Sequence, residues 1–91
     1  MAVMMIAEVA GQTAQGYDAM RSLLEARIRP AEGFIAHASH AVDGGWRVVE
    51  LWRSKEDADR FYAQQVAPNL PPGIRPKRST QELHSLLVTP S

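Results

Sequence analysis

The chain has 91 residues, enough for one small domain over 1–91, and 45% of them are hydrophobic, which excludes an intrinsically disordered polymer. Ten acidic residues cancel ten basic ones, so no net charge draws the protein to nucleic acid or to an anionic membrane. With no cysteine it can build neither a disulfide framework nor a thiolate zinc site. The opening MAVMMIAEVA is apolar but lacks a basic start and is interrupted at Glu8. It reads as a first strand over residues 2–9 rather than a signal peptide or membrane span, and a cytoplasmic location is expected.

Thr13 is placed to cap a helix beginning at Ala14. Tyr17, Met20, Leu24 and Ile28 then recur at spacings of three and four, one face of an amphipathic helix. The helix must stop by Arg29, because Pro30 disfavours helical geometry in the residue before it. A second strand is expected over Phe34–Ala41 and a third over Trp46–Trp52, joined by Val42-Asp43-Gly44-Gly45, where glycine permits positive φ. Ser54, followed by Glu56 and Asp57, caps a second helix carrying Ala58, Phe61, Tyr62, Gln65 and Val66, which Pro68 ends. Residues 68–78 are proline-rich and read as a stiff loop, with Arg75, Lys77 and Arg78 as solvated charges; Gln81–Val88 reads as a fourth strand, holding His84 as a sheet residue.

The order β-α-β-β-α-β predicts an α+β, ferredoxin-like fold, a four-stranded antiparallel sheet with both helices on one face. The other face needs a cover, and a second copy of the chain supplies one, so a homodimer is expected. Side chains alternate across strands. If the turn is Asp43-Gly44, His37 faces Glu50 and Ile35 faces Trp52. If it is Gly44-Gly45, His37 faces Trp52 and Ser39 faces Glu50. Either register puts Ile35, His37, Ser39, Trp46, Val48, Glu50 and Trp52 on one face. The opposite face, with Ala36, Ala38, Val49 and Leu51, suits close helix packing, so the first face is expected to look away from the helices. A bulge would break this assignment.

A carboxylate beside an imidazole fixes its tautomer and leaves the second nitrogen free to take a proton, the minimum apparatus for general acid–base chemistry. His37 and Glu50 are therefore the candidate catalytic pair, with Trp46, Trp52, Tyr62, Ile35 and Ser39 as candidate substrate-binding residues. The same pair also serves as a satisfied polar contact in an interface. The three histidines lie on separate segments without metal-ligand spacing, and neither a metal nor an organic cofactor is expected.

Gly33-Phe34-Ile35-Ala36-His37-Ala38, then Gly44 to Ser54 (GGWRVVELWRS), Phe61 and Ala67-Pro68 resemble the antibiotic biosynthesis monooxygenase-like proteins. The Trp52-x-Ser54-helix-Phe61 stretch is the most typical part. The resemblance implies a dimeric α/β barrel in which two four-stranded sheets face one another. It implies a cofactor-independent small-molecule enzyme acting on a hydrophobic aromatic or polyketide-like compound, by oxygenation or by a proton-transfer cyclisation or isomerisation. The alternatives are a non-catalytic dimeric metabolite-binding protein and a purely structural dimerisation module.

Overall fold

The computed structural model describes residues 1–89. Strand β1 (Val3–Ala10) is followed by helix α1 (Ala14–Ile28), the hairpin of β2 (Phe34–Val42) and β3 (Gly45–Trp52), helix α2 (Lys55–Phe61) and β4 (Lys77–Glu82). The strands form one antiparallel sheet in the order β2-β3-β1-β4. Among the described residues no helix is long and apolar enough to cross a membrane.

Local chemistry sets the boundaries. The Thr13 hydroxyl accepts from the Gly16 amide at 3.0 Å, and the Ser54 hydroxyl accepts from the Asp57 amide at 3.1 Å. Each satisfies an otherwise orphaned helix N-terminal donor. Glu56 and Asp57 lie in the first turn of α2, where the helix dipole favours negative charge. After Phe61 the helix widens into a π-helical turn over Tyr62–Val66 and tightens into a 3-10 turn over Ala67–Asn69. The hairpin closes with Val42 opposite Gly45, leaving Asp43-Gly44 as a two-residue turn with Gly44 at φ 75°. Gly33 (φ 84°) turns the chain into β2 at a point where a Cβ would overlap the Asp57 carboxylate, so the position excludes a side chain on both counts.

Three expectations are corrected. The fourth strand is Lys77–Glu82, not Gln81–Val88. It pairs only with β1, in a register from Glu8 opposite Lys77 to Val3 opposite Glu82. The last bond to the β1 side is from the Leu83 amide to the Ala2 carbonyl, at 2.9 Å. Leu86, Leu87 and Val88 are apolar but exposed, and His84 is exposed past the strand's end.

Second, β2 carries a bulge between Phe34 and Ala36. Phe34, rather than Ile35, faces Trp52, and Ile35 is the extra residue.

Third, the face bearing His37, Trp46, Glu50 and Trp52 looks toward the helices, not away from them. Val3, Met5, Ala7 and Val9 lie buried on the same side of β1, opposite Trp52, Glu50, Val48 and Trp46. Trp52 has no exposed surface; it packs with Val3, Ala58 and Phe61, with ring centroids 5.4 Å from Phe34 and 5.5 Å from Phe61. The physical reason is bulk. Burial of the large indole contributes more than the close approach that alanines allow, so α2 sits on the aromatics. Met4, Ile6, Val49 and Leu51 are left half-buried on the opposite face.

Candidate functional site

Helix α1 has no fully buried residue. It stands off the sheet and leaves a cavity of about 410 Å³ between sheet and helices. Met5, Ala7, Val9 and Val48 form its floor; Tyr17, Met20, Leu24 and Ile28, the helical stripe of α1, line its opposite wall. Phe61, Tyr62 and Val66 close one side, and Leu70, Ile74 and Pro76 of the loop before β4 complete it. The volume lies within the range of ~300–1,000 Å³ usual for small-molecule sites, and the lining is mainly apolar with a few polar groups.

The polar groups form a chain. The Tyr17 hydroxyl lies 2.5 Å from His37 Nε2. His37 Nδ1 lies 2.7 Å from Glu50 Oε2, and Trp52 Nε1 donates to Glu50 Oε1 at 3.0 Å. The Asp43-Gly44 turn builds the central pair by placing His37 directly across from Glu50. Both are largely shielded, with side-chain exposures of 22% for His37 and 12% for Glu50. A carboxylate that accepts from both the indole and the imidazole N–H fixes the tautomer in which Nε2 is the acceptor. Tyr17 then donates its O–H to that nitrogen. Its ring lies between two others, stacked at 5.9 Å on His37 and 5.4 Å on Trp46. The arrangement is a proton acceptor with an orienting anion behind it and a phenol in front, opening on an apolar space.

The structure brings His37, Glu50, Trp46 and Tyr62 to the cavity wall. It does not bring Trp52, Ile35 or Ser39 there. Trp52 is core, behind the cavity wall, and its polar link to the site is its bond to Glu50; Ile35 sits in the bulge; Ser39 lies two residue pairs beyond His37, opposite Val48. Tyr17 was not expected from the sequence as a site residue. The signal that marks it is that it is the only polar-tipped member of the Tyr17–Met20–Leu24–Ile28 stripe. Arg78, expected as a solvated loop residue, belongs to β4 and lines the cavity. Among the described residues no three His, Asp or Glu side chains converge on a site for a metal ion.

No protein-family model matches the chain, and no curated protein matches it in sequence. Solved structures do match. SnoaB from Streptomyces nogalater, described as a cofactor-independent oxygenase, superposes with a TM-score of 0.67 at 13% identity, covering 94% of this chain and 96% of that one. Rv0793 from Mycobacterium tuberculosis gives a TM-score of 0.55 at 21% identity, covering 97% and 100%. A Bacillus cereus protein provisionally named an antibiotic biosynthesis monooxygenase gives 0.55 at 16% identity, covering 99% and 97%. The chain thus has the ferredoxin-like fold of the antibiotic biosynthesis monooxygenase-like proteins.

Proposed function

We propose that the protein is a cofactor-independent oxygenase that removes a proton from an activated methylene of a flat aromatic, polyketide-like compound and lets the resulting carbanion react with O2. The observation that carries this reading is the chain Tyr17–His37–Glu50–Trp52, ending in an apolar cavity. The fold shared with SnoaB, described as a cofactor-independent oxygenase, supports it.

The steps balance as follows. The substrate C–H proton passes to His37 Nε2 by way of the Tyr17 hydroxyl, and Glu50 stabilises the imidazolium formed. The carbanion, delocalised into the ring system, gives one electron to O2; the carbon radical and superoxide so formed combine in a C–O bond, and the peroxide anion takes the first proton back from the relay to become a hydroperoxide. Loss of the second C–H proton from that carbon expels hydroxide, which the protonated relay converts to water, and leaves a ketone. The net reaction is CH2 plus O2 giving C=O plus H2O. The apolar walls hold the ring system and keep water from the carbanion.

The test is O2 uptake with a hydroxylated anthrone. One O2 is expected per ketone formed, and Tyr17→Phe is expected to lower kcat by more than about tenfold. A full rate in Tyr17→Phe contradicts the relay. Conversion of the compound without O2 uptake replaces oxygenation with a cyclisation or isomerisation by the same base.

The reading includes a homodimer. Met4, Ile6, Val49 and Leu51 make an apolar strip on the face without helices, and a second sheet packed on it would complete a barrel. Native mass spectrometry is expected to give a species at twice 10.1 kDa; a monomer at micromolar concentration contradicts the barrel.

A further inference from the structure

Among the described residues, two side-chain nitrogens are buried without a hydrogen-bond partner, Trp46 Nε1 and Arg78 Nε. Both side chains border the same cavity. They come from different strands, Trp46 from β3 opposite Val9 and Arg78 from β4 opposite Ala7. An unpaired buried donor is costly, and two beside one apolar cavity await acceptor oxygens.

Arg78 is the more informative of the two. Its register partner is the small Ala7, and its side chain lines the cavity. Its guanidinium carbon stands 4.2 Å from the centre of the Tyr62 ring, and Nη2 lies 3.2 Å from Asp59 Oδ1. These contacts hold the planar group in place. They do not use its capacity: Asp59 is shared with Lys55, at 2.6 Å, and Nε has no partner. A guanidinium offers five N–H donors in a fork that fits a carboxylate two bonds at a time.

Arg78 and His37 also occupy opposite edges of the sheet. In the order β2-β3-β1-β4 they are separated by three strand intervals, roughly 14 Å at the usual spacing. Met5, Ala7 and Val48 lie between them as an apolar floor.

We propose that Arg78 is an anion anchor: the cavity takes an elongated aromatic acid whose carboxylate pairs with Arg78 on β4 while the opposite end of the ring system meets Tyr17 and His37 at β2. This rests on the cavity being the small-molecule site proposed above, and it adds the substrate's charge and the direction in which it lies. The carboxylate sets orientation; the reacting methylene sits at the far end.

The test compares two ligands of nearly equal shape, anthracene-2-carboxylate and the neutral 2-(hydroxymethyl)anthracene, by the anisotropy of their own fluorescence at pH 7. Wild-type protein is expected to bind the carboxylate about tenfold or more tightly than the alcohol, the size of one charge-assisted contact. Arg78→Met keeps much of the apolar stem and is expected to abolish this preference while leaving the alcohol's affinity within about threefold. Asp59→Asn removes the competing anion and is expected to widen the preference, which keeps the inference testable if Arg78→Met does not fold. Equal binding of the two ligands by wild type, or a preference that survives Arg78→Met or shrinks in Asp59→Asn, overturns the anchor and leaves the site. Failure of both ligands to bind wild type overturns the site and the anchor together.

Discussion

Replacing His37 by glutamine is expected to lower kcat for anthrone oxidation by about 10²–10⁴-fold, the usual contribution of a positioned general base. Glutamine is the informative substitute because it can still donate a hydrogen bond to Glu50 and fills a similar space. What it cannot do is take a proton from Tyr17. The loss therefore belongs in kcat, with ligand affinity within about threefold of wild type. Glu50→Gln is expected to cost less, since a neutral amide oxygen still accepts from one of its two donors, His37 Nδ1 or Trp52 Nε1. Steady-state O2 uptake separates these cases. A His37→Gln protein that is folded, binds ligand and keeps its rate contradicts the assignment of His37 as the base.

The largest expected effect on stability is at Trp52. Trp52→Ala is expected to destabilise the fold by about 3–5 kcal/mol, measured as the change in unfolding free energy in urea. Small domains have total stabilities of about 5–15 kcal/mol, so this substitution removes a large share. Trp52 is wholly buried among Val3, Ala58 and Phe61, with Phe34 edge-on to it. The loss has a polar component as well: Glu50, itself 12% exposed, keeps only His37 as a donor. Trp52→Phe restores most of the volume without the N–H and is expected to fall between the two. A loss below about 1 kcal/mol for Trp52→Ala contradicts the placement of this residue at the centre of the core.

These expectations show which parts of the fold a sequence carries locally. Thr13, Ser54, Pro30 and the Asp43-Gly44 turn act on their nearest neighbours, and the boundaries they imply are observed at both ends of α1, at the start of α2 and at the hairpin turn; α2 ends at Phe61, short of the Pro68 expected to stop it. The His37–Glu50 pairing was one of two registers legible in the sequence; the Asp43-Gly44 turn selects it and fixes the pairs above it as far as the bulge at Ile35. The orientation of the hairpin was not. Both of its faces carry apolar side chains, and the choice between them depends on where α2 lays Ala58 and Phe61, a contact that no local pattern encodes. Tyr17 and Arg78 were missed for the same reason. Tyr17 meets His37 across twenty positions of sequence. Arg78 enters the cavity because β4 begins at Lys77, opposite Glu8, which sets Arg78 across from Ala7 on the helix side of β1. The apolar 86–88 run looked like strand by composition, yet a strand exists only where a partner's backbone is available.

The central claim is that the Tyr17–His37–Glu50 chain takes a carbon-bound proton from a ligand in the cavity. The most direct measurement is the absorption spectrum of a hydroxylated anthrone mixed anaerobically with the protein at pH 7, where oxygen cannot consume the product of deprotonation. The account predicts that the band of the anthrone anion appears in proportion to bound ligand in wild type and is absent in His37→Gln. A ligand that binds wild type and keeps the spectrum of the neutral compound contradicts it.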